Sequence, residues 1–440
     1  MRALRTNLGN AGYGLVDYVV QPAAMIVGAR FLVHRLGLEQ YGIWMLVSAV
    51  VGGVGILGAG FGDATVKYVS AYRAQNNIAG VKQTIRATLT MNAVLGATLA
   101  TIVWVIAPFL AHHIFRVEPQ SQLLTIRSTQ IGAIILFLRS VESVFVSALR
   151  GFEQYAPTVR INAVVRIMTV ASAVILAALS RGVVAIMLST LLWSTIAVSL
   201  QLRSARRVAG WFSVLPTLRY PALREVFAFG GFSWLQALAG LGFNYADRFL
   251  VGMMLGTAPV AIYVLCVQAS QPIHGLCAAI FNFLFPHISS RHEREGAGAT
   301  ERIFRVAFWS NLVVSLALAA PLMLFAKSIL RLWMGAHIAG EGELSLRILA
   351  LAYVLLAFNV VPHYTLLALR QAKYVSMVNL AGAALSIAAA SLLIHSWGLK
   401  GAAVARLLYG AVTLVLFFRV KKTLAPLSKR YQAADAVLTY

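Results

Sequence analysis

Apolar stretches of about 20 residues, separated by short polar or basic connections, recur along the whole chain. A helix rises 1.5 Å per residue, so each stretch is long enough to cross a bilayer's hydrocarbon core. Hydropathy read together with its breakers predicts twelve spans. They are 12–34, 42–62, 87–110, 128–148, 158–180, 182–202, 226–255, 259–285, 306–330, 346–369, 375–396 and 401–419. The connections are too short for a separate soluble domain. The first stretch has no small-residue cleavage site after it and reads as a retained helix rather than a removed signal.

The spans fall into two echoing sets of six. Arg30–Val33 and Arg248–Val251 both spell RFLV, 218 positions apart in a chain of 440. Each is followed by Leu-Gly, at Leu36-Gly37 and Leu255-Gly256. Arg127 and Arg347 each open a span, and each is followed by an Ala-Leu-Arg ending at Arg150 or Arg370. Gly182 and Gly401 each open the sixth span of their half. An even number of spans per repeat gives both halves the same orientation, the parallel-repeat plan of alternating-access transporters. The expected fold is therefore an all-α membrane protein with two pseudo-symmetric six-helix bundles. Residues 1–203 form the N-terminal bundle, 204–224 a cytoplasmic linker, 225–420 the C-terminal bundle and 421–440 a cytoplasmic tail.

Composition agrees: 60% of residues are hydrophobic and 12% charged, against about 25% charged in soluble domains, and mean hydropathy is +0.78. The net charge of +23 raises nucleic acid as a partner, but no basic module or nucleic-acid motif is present. Topology accounts for the excess. With the N-terminus inside, 25 of the 37 Lys and Arg fall nearer the cytoplasmic side and 11 nearer the outside, with Arg139 within span four. This bias places both termini in the cytoplasm. The basic connections Arg203–Arg224 and Arg291–Arg305, and the tail Arg419–Arg430, are expected against anionic head groups. Cys266 and Cys277, eleven residues apart, would lie roughly 16 Å apart along one helix, too far for a disulfide.

Ionisable groups inside spans are costly and so informative. They are Asp17, Arg30, Arg139, Glu142, Arg166, Asp247, Arg248, His274, His363 and Arg406. If Gly37 and Gly256 end their helices, the stems of Arg30 and Arg248 start roughly 10–12 Å inside the helix ends. Two readings stay open: both side chains snorkel to the interface, or both face a central cavity, where a planar guanidinium fork suits phosphate. Arg139 and Glu142, at i and i+3, can pair on one helix. Asp247 could hold a neighbouring helix's cation or a coupling ion. Asp17 could bind a proton or sodium ion, or be a plain interfacial carboxylate. The glycines crowding span two, among them Gly52, Gly53, Gly55, Gly58 and Gly62, read as sites of close packing or bending. His274, His287 and His363 show no metal-ligand spacing, and no cofactor motif, phosphate-cradling loop or nucleophile–base pair is evident.

Five segments resemble one family. "ARFLVHRLGLEQYGIW", "LGAGFGDATVKYVSAYRAQNN", "NYADRFLVGMMLGTAPVAIY", "ALRGFEQY" and "WGLKGAAVAR" look like bacterial polysaccharide flippases of the multidrug/oligosaccharidyl-lipid/polysaccharide exporter superfamily. The resemblance implies two six-helix bundles around a V-shaped, often cationic cavity, in the bacterial inner membrane. It implies a substrate of undecaprenyl-pyrophosphate-linked oligosaccharide, such as O-antigen or exopolysaccharide units. Membrane lipids, a glycan polymerase and export machinery would be partners, with proton or sodium coupling left open. On this likeness Arg30 matches the family's first-helix arginine and Asp247 its span-seven aspartate. Arg139 and Arg166 are further cavity cations, and Asp17, Asp247 and Glu142 the ion-coupling candidates. Lipid II flippases typically carry two further helices, so the twelve spans expected here favour a sugar-repeat flippase.

Three other classes fit the residues less well. A multidrug and toxin extrusion antiporter for cations would favour acidic cavity groups, whereas arginines outnumber acids inside the spans. A major-facilitator porter would need more of its loop signature than "GFGDATVKY" offers. A membrane glycan polymerase or ligase would need a long basic outer loop, and the stretch around Leu332–Ser345 is short and acidic. The expectation is a transporter, not an enzyme.

Overall fold

A computed structural model describes the backbone of residues 2–58, 61–215, 217, 223–224, 226–227 and 245–424, and the side chains of these except 2–22, 57–58, 286 and 293–297. Among the described residues ten helices are long and apolar enough to cross a membrane. One of them, Ala23–Ile56, is broken at Gly37, where φ is 79° and ψ 166°, so it supplies two spans. The expected span 226–255 falls largely outside the described residues. The described residues form helices and no strands, and the chain is a multi-pass membrane protein with a two-repeat fold. Its outward faces fit lipid: Val105, Leu192, Val313 and Leu392, all apolar, are exposed.

The chain packs as two compact units, Met1–Val264 and Leu265–Tyr440. The first contains α1 (Arg2–Gly58, broken at Gly37), α2 (Gly62–Ala74), α3 (Ile78–Phe109), α4 (Gln122–Gly151), α5 (Tyr155–Ala178), α6 (Gly182–Ala209) and α7 (245–254). α3 carries Pro108 and ends in a π-helical turn, Leu110–Ile114. Proline at 108 removes one helical donor, and widening is one way to accommodate that loss. Buried polar side chains tie neighbouring helices together. Asn92 of α3 donates to Ser140 O at 3.2 Å and Ser143 Oγ at 2.9 Å on α4. Ser172 and Ser189 share a 2.6 Å bond between α5 and α6.

Close approach is written in glycine. α7 and the turn after it lie against the second arm of α1. A Cβ on Gly42 would stand 1.9 Å from Thr257 O, one on Gly52 2.7 Å from the Tyr245 ring, and one on Gly252 2.8 Å from Leu46. Close packing therefore accounts for Gly52. Gly55 faces open space, and the side-chain surroundings of Gly58 lie outside the description.

The second unit comprises α8 (Thr257–Phe281, from Leu265 on), α9 (Leu284–Leu324), α10 (Ala326–Met334), α11 (Ala336–Phe358), α12 (Val360–Ala368), α13 (Ala372–Trp397) and α14 (Leu399–Thr413), then a last helix over 415–424. Span ten breaks at Asn359, and Asn311 of α9 donates to Ala357 O at 2.6 Å beside the break. Pro362 cannot donate to the carbonyl of Phe358, which fits a break here. Phe308, Phe358 and Phe417 cluster with centroids 4.6 and 4.9 Å from Phe308. Cys266 and Cys277 are buried and free.

The repeat shows in where the chain turns left-handed. Gly37 and Gly256 both have positive φ, at 79° and 96°, and so do Ser180 and Gly398, at 55° and 58°. The Ala-Leu-Arg echo needs a correction of register. Arg150 is helical within α4, whereas Arg370 has φ 61°, and the residue with the same φ in the first half is Glu153. The two turns share their backbone bonds. Glu153 N and Gln154 N donate to Arg150 O and Leu149 O, as Arg370 N and Gln371 N donate to Leu367 O and Leu366 O. Gly182 likewise has positive φ while Gly401 is helical.

The packing at Gly42 makes a test. Gly42→Ala forces a methyl onto a backbone carbonyl, and overpacking of this kind costs about 1–3 kcal/mol. Its thermal midpoint in detergent, followed by size-exclusion fluorescence, falls by several degrees, while Gly55→Ala holds or gains stability. Equal midpoints would contradict the packing.

Candidate functional site

The two RFLV arginines occupy equivalent places on their helices and meet different surroundings. Arg30 is exposed on the first arm of α1, on a stripe with Val27 and His34. Among the described residues it makes no hydrogen bond or ion pair. Arg248 on α7 is half-buried, its guanidinium 5.7 Å from the Tyr245 ring, and its Nε is buried without a hydrogen-bond partner. The cause lies three residues earlier, on the same helix face. Tyr245 gives Arg248 a π face, and its counterpart Val27 gives Arg30 none. As expected, each helix ends at a glycine of positive φ, Gly37 or Gly256.

Asp247 is fixed from two sides. Its Oδ1 accepts from Arg248 N at 2.8 Å and its Oδ2 from the Tyr263 hydroxyl at 2.9 Å. Tyr263 is fully buried near the start of α8. The carboxylate thus joins the two helices on either side of Gly256, and its α8 contact is a phenol.

The structure brings three sequence-chosen residues together. Half-buried Glu142 of α4 feels the charges of Arg139, one turn earlier, and of Arg166 on α5. Arg139 is exposed and Arg166 half-buried. Arg139 and Glu142 thus belong to a two-helix group of two arginines and one carboxylate, linked through their charges. The side chain of Asp17 lies outside the described residues.

A second polar centre was not legible as a unit. Among the described residues Arg406 is the one charged side chain that is buried. It lies 5.0 Å from the Tyr353 ring, and it and His363 act electrostatically on His274. These come from α14, α11, α12 and α8. The sequence names each group, but their convergence depends on helix packing; the faint signal is that both histidines closely follow a proline, Pro272 or Pro362.

A profile of polysaccharide biosynthesis proteins matches residues 29–297, more than half of the chain. The chain belongs to this family. The match includes every sequence-chosen site residue except Asp17. A Shigella flexneri protein named for O-antigen transport is 22% identical over 407 residues, 90% of this chain and 93% of its own length. A Haloferax volcanii protein named as a low-salt glycan biosynthesis flippase is 22% identical over 291 residues, 64% of this chain and 59% of that protein. Among solved structures, an inward-facing multidrug resistance MATE transporter of the MOP superfamily gives a TM-score of 0.71 at 16% identity, covering 96% of this chain and 95% of that one. An outward-facing one gives 0.59 at 18% identity, covering 94% and 96%. At these identities the structural likeness speaks for the fold alone.

The Glu142 cluster has a direct test. Residues sharing one charge network couple by about 0.5–3 kcal/mol. In thermal melts the Glu142→Gln/Arg166→Gln double variant loses less stability than the sum of the singles. Strict additivity would dissolve the cluster.

Proposed function

We propose that this protein is a flippase for lipid-linked glycans. It moves undecaprenyl-pyrophosphate-linked oligosaccharide units from the cytoplasmic to the outer leaflet of a bacterial inner membrane. Membership of the polysaccharide biosynthesis family across residues 29–297 carries the reading. The relative that covers nine-tenths of the chain, named for O-antigen transport, supports it. So does the chemistry of the spans: a pyrophosphate-linked glycan needs cations for its phosphates, and arginine offers permanent charge with paired donors.

In this proposal Arg30 and Arg248 are the main substrate cations, with Arg139 and Arg166 secondary. Arg30 is exposed, as a cation receiving an external anion must be. Asp17, Asp247 and Glu142 are candidates for proton or sodium coupling. The halves 1–203 and 225–420 move about the substrate in alternating access, joined by the 204–224 linker, with both termini cytoplasmic. A glycan polymerase and export machinery act downstream. The protein moves its substrate and makes no covalent change to it.

Arg30→Ala and Arg248→Ala each abolish surface glycan in the native cell while protein abundance stays normal, and the lysine variants restore part of it. Full glycan with both alanine variants would remove the substrate role. Loss of glycan together with loss of protein would assign the arginines to structure instead.

A further inference from the structure

The end of α6 carries a charged surface that the flippase reading does not use. Arg203, Arg206 and Arg207, at i, i+3 and i+4, share one helix face and line an open depression of about 340 Å³ with Trp211. α6 stops at Gly210, φ 73°. Lys82 Nζ lies 3.5 Å from where a Cβ on Gly210 would stand, adding a fourth cation.

The segment after Gly210 is pinned. Phe212 is buried in the core beside Phe145, their ring centroids 6.5 Å apart. Its carbonyl accepts from Arg206 at 3.2 Å, and Thr217 N donates to Thr90 Oγ1 at 2.8 Å. Fixed in this way, the chain turns Trp211 and Leu215 outward, 71% and 68% exposed. The Arg206 guanidinium sits 5.6 Å from the Trp211 ring. Basic residues in a helix's last turn also complement its dipole. That role fits Arg206 and Arg207 and calls for neither Lys82 nor an outward indole and leucine.

Indole and leucine turned outward beside arginines match the level where acyl chains meet head groups. Guanidinium forks match phosphate. We propose that Arg203, Arg206, Arg207, Lys82 and Trp211 form a binding site for the phosphate head group of an anionic phospholipid. Trp211 enters the boundary layer, Arg206 is held by Phe212 as a fixed donor, and Arg203 and Arg207 grip the phosphate. The site rests on the membrane reading alone and stands whether or not the substrate is a glycan lipid.

The full-length protein in lipid nanodiscs provides the test. The Trp211 signal, taken as the difference between wild type and Trp211→Phe, reports quenching by brominated phosphatidylglycerol or brominated phosphatidylcholine. Wild type prefers phosphatidylglycerol. Arg203→Gln with Arg207→Gln, which keeps the structural bond of Arg206, lowers that preference roughly fivefold per arginine, the factor that about 1 kcal/mol per cation represents. Arg302→Gln with Arg305→Gln, on another basic connection, leaves it unchanged. Equal quenching by the two lipids in wild type would overturn the site. So would an undiminished preference in the Arg203/Arg207 variant, or an equal loss in the Arg302/Arg305 variant. Displacement by millimolar inorganic phosphate would overturn the lipid assignment in favour of free phosphate.

Discussion

Hydrocarbon gives a polypeptide no partner for its backbone N–H and C=O groups, and this constraint orders the rest of the structure. Every described span is helical. Buried hydroxyls bond back to their own helix, as Thr129 does to Thr125 O, Ser270 to Cys266 O and Thr365 to Val361 O. Among the described residues, several reversals fall at helix ends where a residue of positive φ lets the chain leave the helix. Gly37, Glu153, Ser180, Gly256, Arg370 and Gly398 mark those points.

The same medium penalises charge and so gives each intramembrane ionisable group a reason to be where it is. Glu142 feels the charges of two arginines. Asp247 is held by a tyrosine and a backbone amide. Arg248 rests on Tyr245 and Arg406 on Tyr353. Arg30 is exposed and bonded to no described residue. A cation so placed and a glycan-handling family meet in one expectation, a phosphate from outside the protein.

Much of this was legible in the letters. Hydropathy marked the spans because burial in lipid needs apolar side chains over a fixed length. RFLV with its trailing glycine marked the repeat because a left-handed helix end suits glycine. The Ala-Leu-Arg echo misled by three residues, since Glu153 and Arg370 adopt left-handed turns without being glycine and no letter announces them. The unlike settings of Arg30 and Arg248 also escaped, although Val27 and Tyr245 were there to be compared. The convergence of His274, His363 and Arg406 left only the faint signal of a proline shortly before each histidine, because it comes from helices far apart in sequence.

The central claim is that this protein moves a pyrophosphate-linked glycan lipid between leaflets. Reconstituted proteoliposomes holding a fluorescently tagged lipid of that kind test it most directly, with an impermeant reductant bleaching whatever tag reaches the outer face. The account predicts that wild-type protein exposes tags first protected in the inner leaflet, while a tagged zwitterionic phospholipid stays protected. Protection of the glycan lipid equal to that in protein-free vesicles, or equal movement of both lipids, would contradict it.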